Sequence, residues 1–159
     1  MIKGAAAVAV LLLATAAGVA WADPDETDPG VAVRDPDVAA GKQALERRDW
    51  KEAAGRFAKA ALRDPENADL QNYLGYSYRN QDRYDLAFEH YKRALALDPR
   101  HKGAHEYIGE TYLKVGDLAS AERHLAALIE LCPLSCEQLD DLRREIDAFR
   151  KKGVPTPKH

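Results

Sequence analysis

One spacing constrains this chain more than any other property: four unrelated classes of residue recur 34 positions apart. Ala53, Ala87 and Ala121 form one class and Gly41, Gly75 and Gly109 a second. Phe57, Tyr91 and Leu125 form the third, and Pro65, Pro99 and Pro133 the fourth. A fixed period of this size marks stacked repeats, in which each unit buries its apolar side only against a neighbour. Three units are expected, over about 34–67, 68–101 and 102–135.

Each unit carries two helical patterns. In the second, Leu70, Tyr73, Leu74 and Ser77 recur at helical spacing within Ala68–Asn80, as do Ala87, Phe88, Tyr91, Ala94 and Leu95 within Tyr84–Leu97. Gln81-Asp82-Arg83 reads as the polar turn between them. Asp98-Pro99 ends the second helix, because proline cannot continue the ladder and restricts the residue before it. The same stop recurs as Asp64-Pro65 and Cys132-Pro133. Gly75 and Ala87 are expected where the two helices of a unit cross most closely, with Tyr78 and Tyr91 filling the remaining space. A further amphipathic helix over 137–150 carries Leu139, Leu142, Ile146 and Phe149 on one stripe. It reads as the polar-faced cap that a solenoid end requires, with a partner-binding helix as the alternative. Abundant alanine and sparse β-branched residues favour helix throughout. The expected class is all-α, a solenoid of three helix-turn-helix units plus a C-terminal capping helix.

Outside the repeats the chain changes character. Residues 1–22 combine the start Met1-Ile2-Lys3, an apolar stretch around Leu11-Leu12-Leu13 and the small-x-small triplet Ala20-Trp21-Ala22. This is the pattern of a cleavable signal peptide, with an uncleaved membrane anchor as the alternative. Residues 23–37, rich in Asp and Pro, read as a disordered linker before a domain over 38–150, and 151–159 as a flexible tail. The expected setting is periplasmic or secreted, with no stable membrane insertion after cleavage. A net charge of −3 gives no basic excess for nucleic acid or an anionic membrane.

The repeats resemble the tetratricopeptide (TPR) pattern W-x2-L-G-x2-Y, A-x3-F, P. The second unit reads Gln71-x2-Leu74-Gly75-x2-Tyr78, Ala87-x3-Tyr91, Pro99. The third reads His105-x2-Ile108-Gly109-x2-Tyr112, Ala121-x3-Leu125, Pro133. The first reads Asp37-x2-Ala40-Gly41-x2-Ala44, Ala53-x3-Phe57, Pro65. Asp49-Trp50 and Gly116-Asp117-Leu118 look like the family's turn between helices, and the pattern's tryptophan is absent from every unit. The resemblance implies that the first helices of successive repeats line a concave, protein-binding groove. Carried over by position, the groove takes Lys42, Leu45 and Glu46 from the first unit. Asp69, Asn72, Tyr76, Arg79 and Asn80 come from the second, and Glu106, Glu110, Leu113 and Lys114 from the third. Tyr76 with Arg79 and Asn80 most resembles a recognition patch, since Tyr and Arg are common interface anchors. Asn72 stands nearly alone among mixed charges, so a clamp on a partner's C-terminal carboxylate is not expected; an extended segment or helix is.

The residues that carry chemistry elsewhere lack context here. Ser77, Ser120 and Ser135 lie in no nucleophile elbow, and the glycines keep the repeat period rather than forming a phosphate loop. His101 and His105 lie four apart, and His90 and His124 share one place in successive units, but no metal signature accompanies them and they read as surface histidines. Cys132 and Cys136 are the two cysteines. An oxidising compartment favours a disulfide across the Pro133 turn, with buried thiols or a copper or redox role as alternatives. The expectation is a non-catalytic module without cofactor or metal, holding a segment of another protein of the cell envelope. The alternative classes are a metal-handling or redox protein using Cys132 and Cys136, and a structural subunit that self-associates through the first unit.

Overall fold

The computed structural model describes residues 35–153. The expected signal peptide over 1–22, most of the expected linker and the end of the tail lie outside the described residues. Within them the chain forms seven helices and no strand. These are α1 (Pro36–Glu46), α2 (Trp50–Arg63), α3 (Ala68–Arg79), α4 (Tyr84–Leu97), α5 (Lys102–Lys114), α6 (Leu118–Leu131) and α7 (Glu137–Lys152). They pair as the hairpins α1–α2, α3–α4 and α5–α6. Each hairpin packs its second helix on the first helix of the next, and α7 packs on both α5 and α6. The all-α repeat architecture expected from the period is the one observed.

The termini have local causes. Asp64, Asp98 and Cys132, each directly before its proline, are the C-caps of α2, α4 and α6. Side chains of Asp49, Asn67 and Asp117 accept the backbone N–H of Glu52, Leu70 and Ser120, supplying partners to helix starts that have none of their own. Arg83 takes the corresponding place before α4 and makes no such bond. Helix α1 begins within the expected linker. Asp35 caps it through the N–H groups of Asp37 and Val38, Pro36 supplies the preset φ of a first turn, and Arg63 of α2 donates to both Asp35 and Asp37. Residues 35–37 are therefore cap and first turn, because two short-range bonds and a cross-hairpin cation order them. Helix α7 likewise runs two residues into the expected tail, as far as Lys152.

The turn within each hairpin contains one left-handed residue at the same place: Arg48 (φ 59°), Asp82 (φ 57°) and Gly116 (φ 85°). Only the third unit uses the residue type that adopts this conformation without steric cost.

The core is a row of clusters, each bridging one hairpin and the next helix. Ala44, Ala53, Phe57 and Ala60 pack with Leu70 and Leu74 of α3. Ala87 and Tyr91 pack with Ile108 of α5. Leu113, Ala121, Leu128 and Cys132 pack with Leu139, Leu142 and Ile146 of α7. The periodic glycines explain the closeness of the helices. A Cβ on Gly41 would stand 2.7 Å from the Phe57 ring, and one on Gly75 would stand 2.5 Å from the Tyr91 ring. Gly109 departs from the expected partner: its nearest side chain is Leu142 of α7, 2.7 Å from a built Cβ, rather than Leu125 of its own hairpin. The third unit has leucine where the others have an aromatic ring, and the cap helix occupies the space that results.

The missing tryptophan has a polar replacement. At its place stand Asp37, Gln71 and His105, and 19 residues further on stand Arg56, His90 and His124. Each pair is bonded across its own hairpin: Arg56 Nη1 donates to Asp37 Oδ1 (3.2 Å), His90 Nδ1 to Gln71 Oε1 (2.9 Å), and His105 Nδ1 meets His124 Nδ1 (2.9 Å). In units two and three a tyrosine covers the histidine face to face, Tyr78 on His90 and Tyr112 on His124. Of the expected surface histidines, His90, His105 and His124 are thus hairpin clasps while His101 caps α5, and the contacting pair is His105–His124 rather than either pair suggested by spacing.

Candidate functional site

The first helices α1, α3 and α5 hold the residues expected to line a groove. At the centre, Tyr76 of α3 and Tyr107 of α5 bring their rings to 5.0 Å. Arg79, one turn after Tyr76, sets its guanidinium 5.1 Å from the Tyr76 ring and 5.3 Å from the Tyr107 ring, and pairs with the Glu110 carboxylate. Trp50, at the start of α2, meets Tyr76 edge-on at 6.0 Å. Burial works against the Arg79 charge, and the paired Glu110 carboxylate offsets it, so the guanidinium stays charged. An aromatic platform with a fixed cation at its edge results.

Two openings flank this platform. One of about 320 Å³ lies among Leu45, Glu46, Tyr73, Tyr76 and Tyr107. The other, about 430 Å³, is bounded by Arg79, Asn80, Glu110, Leu113 and Lys114, by Asp82 and Tyr84, and by Glu145, Ala148, Phe149 and Lys152 of α7. Eight of the twelve residues expected at the groove therefore line one opening or the other. Lys42 stands apart with its ammonium 5.4 Å over the Tyr73 ring, and exposed Asp69 accepts a hydrogen bond from His101. Asn72 and Glu106 are buried, each only 6% exposed. Asn72 Oδ1 and Tyr91 Oη have no hydrogen-bond partner. Desolvation, then the charges of Glu110 and Asp141, push the Glu106 carboxyl up to about 8.

Trp50, Tyr73, Tyr107 and the α7 residues were not expected at the site. Tyr73 and Tyr107 share one place 34 apart, and that recurrence was the available signal. Helix α7 was read as a cap, but its packing on α5 brings Glu145, Ala148 and Phe149 to the larger opening.

Cys132 and Cys136 lie at disulfide distance, with Cα atoms 5.8 Å apart, across the turn between α6 and α7. Among the described residues no group of three or more His, Cys, Asp or Glu side chains is disposed to hold a metal ion. None of the described helices is long and apolar enough to cross a membrane.

Stacked helical hairpins with an aromatic-lined groove define a helical-repeat binding protein. Models of the tetratricopeptide repeat match residues 38–102 and 78–146, and the chain belongs to that family. Protein bimA of Emericella nidulans is 30% identical over 95 residues, 60% of this chain and 12% of that protein. The chain thus spans about an eighth of that relative's length. The type III secretion translocator chaperone SycD of Yersinia enterocolitica has a similar structure, with TM-score 0.67 and 20% identity over 74% of this chain and 83% of that one. A second structure of that chaperone holds a peptide of the translocator YopD. The first TPR domain of Spaghetti (RPAP3), bound to the HSP90 peptide SRMEEVD, has TM-score 0.64 and 21% identity over 72% of this chain and 94% of that one. At these identities the likeness concerns the fold.

Proposed function

We propose that this chain is a non-catalytic protein-binding module whose groove holds a segment of another protein, in the periplasm or outside the cell, with a component of the cell envelope as partner. The observation that carries the reading is the Tyr76–Arg79–Tyr107–Glu110 cluster between two openings on one face. Its rings offer large contact area at little entropic cost, and the guanidinium is oriented before any partner arrives. Similar folds that hold peptides of other proteins lend support, and the N-terminal pattern supports export. An extended segment spans both openings, its side chains alternating between them.

The test is retention of partners from an envelope extract by the immobilised protein. Wild type is expected to retain a defined set, and Tyr76→Ala with Arg79→Ala to lose it, since interface anchors of this kind contribute roughly 2 kcal/mol or more each. Unchanged retention by the double variant contradicts the groove as the binding face.

A further inference from the structure

The end of the groove where α5 meets α7 has a charge distribution that the aromatic cluster does not explain. Four carboxylates gather there: Glu106 and Glu110 on α5, Glu137 and Asp141 on α7. Glu110 is occupied by Arg79, and Asp141 accepts from Arg144 Nη2 at 2.6 Å. Glu106 has no hydrogen bond or ion pair among the described residues, although it is 94% buried by its 6% exposure. A buried carboxyl without a partner is costly in either protonation state, more so when ionised.

A second acceptor without a partner lies on the neighbouring helix. Asn72 of α3 is also 6% exposed, and its Oδ1 is sealed without a donor. Its amide nitrogen lies 3.3 Å from where a Cβ on Gly103 would stand, one turn before Glu106 on α5. Of the two, only the Asn72 oxygen is both sealed and unpaired; the Glu106 oxygens are not sealed in this way, so an incoming donor can reach them without parting the helices. A neutral donor could bond the Glu106 carboxyl but would leave the surrounding negative charge uncompensated, whereas a positively charged side chain rich in N–H donors would do both.

We infer that the α5–α7 end of the groove recognises a lysine or arginine side chain of the bound segment, with Glu106 as the carboxylate that pairs with it. The inference rests on the groove being the protein-binding face. It adds the chemistry of the segment: apolar or aromatic where it crosses Tyr76 and Tyr107, cationic one turn along α5 from Glu110. The charges that act on Glu106 are Glu110 on its own helix, Asp141 and Glu137 from α7, and Arg79 from α3, which alone favours ionisation. In the free protein Glu106 holds its proton to about pH 8. An incoming cation displaces that proton to solvent, so binding below pH 8 releases one proton and tightens as pH rises toward that value.

The test uses three pools of short peptides, random except for a central lysine, glutamate or norleucine, measured by fluorescence anisotropy against the full chain. Calorimetry in two buffers of different ionisation enthalpy counts protons. The lysine pool is expected to bind about tenfold more tightly than the glutamate pool. Glu106→Gln, which keeps the shape and removes the charge, is expected to abolish both that preference and the proton release while leaving the melting curve cooperative. A lysine preference that survives Glu106→Gln unchanged, or equal binding of all pools, overturns the assignment. If the pools bind equally and Tyr76→Ala abolishes binding, the groove reading stands and the cation site alone fails. If no pool binds, both fail.

Discussion

Tyr91 occupies the place that Phe57 holds in the preceding repeat, fully buried, with a hydroxyl that finds no partner. The ring does the packing against Gly75 and Ile108, and the hydroxyl adds only its desolvation cost. Tyr91→Phe is therefore expected to raise stability by roughly 1 kcal/mol, read as an increased urea midpoint at unchanged slope. Two other residues carry the largest shifts among the groups that titrate between pH 4 and 8. His124, held beside His105 and desolvated, is pushed down to about 4 from 6.5, so the unfolded chain binds its proton more readily. His105 Nε2 donates to Pro99 O, which leaves its Nδ1 to accept from His124 Nδ1–H; charging both rings would turn two N–H groups against each other. Stability from this group is complete above pH 6.5 and is lost as pH falls toward 4. Glu106 acts in the opposite sense. Raised to about 8 from 4.5, it contributes fully below 4.5, and that contribution is lost as pH rises to 8. The two slopes offset each other between pH 4.5 and 6.5, so the expected profile is level there and falls as pH rises toward 8; Glu106→Gln is expected to flatten that alkaline limb by about 1 kcal/mol or more and to uncover a rise in stability with pH up to 6.5. An alkaline limb identical in wild type and variant would contradict the burial assigned to Glu106.

At the scale of elements, the hairpins follow simple local rules, and their exceptions are informative. The three proline stops and the 34-residue recurrence of Ala, Gly and aromatic positions are legible in the sequence, because each acts through a neighbour at fixed separation. The contacts that are not legible join residues on different helices. Gly109 meets Leu142 because Leu125 lacks a ring, and nothing in the third unit alone states that α7 supplies the difference. His105 meets His124 across a hairpin, a juxtaposition that spacing along one helix cannot indicate. The left-handed turn residue illustrates a rule obeyed in conformation but not in composition. Arg48 is exposed, adopts φ 59° and makes no side-chain bond among those described, while Gly116 fills the equivalent place in the third unit. Arg48→Gly is expected to stabilise the α1–α2 hairpin by up to about 1 kcal/mol, the steric relief exceeding the added chain entropy. Thermal unfolding checks this, and a lower melting temperature contradicts it.

For the molecule as a whole, the clusters connect only neighbouring helices, so the scaffold is quasi-one-dimensional and its function depends on keeping the first helices in phase. The groove followed from that phase. Eight of twelve positions carried over from the family pattern line an opening, whereas Asn72 and Glu106 are buried. Helix α7 is both cap and wall: Leu139, Leu142 and Ile146 seal the last hairpin, while Glu145 and Phe149 border the larger opening. The Cys132–Cys136 pair, at disulfide distance in the turn before α7, lies where a covalent link would hold that wall against α6. The central claim, that the face bearing Tyr76 is where another protein lies, is tested most directly by site-specific photo-crosslinking. A photoreactive phenylalanine analogue replaces Tyr76 in one variant and Leu62, exposed on α2, in another. Cross-linked adducts with proteins of an envelope extract are expected from position 76 and not from position 62. Adducts from position 62 alone would contradict the account.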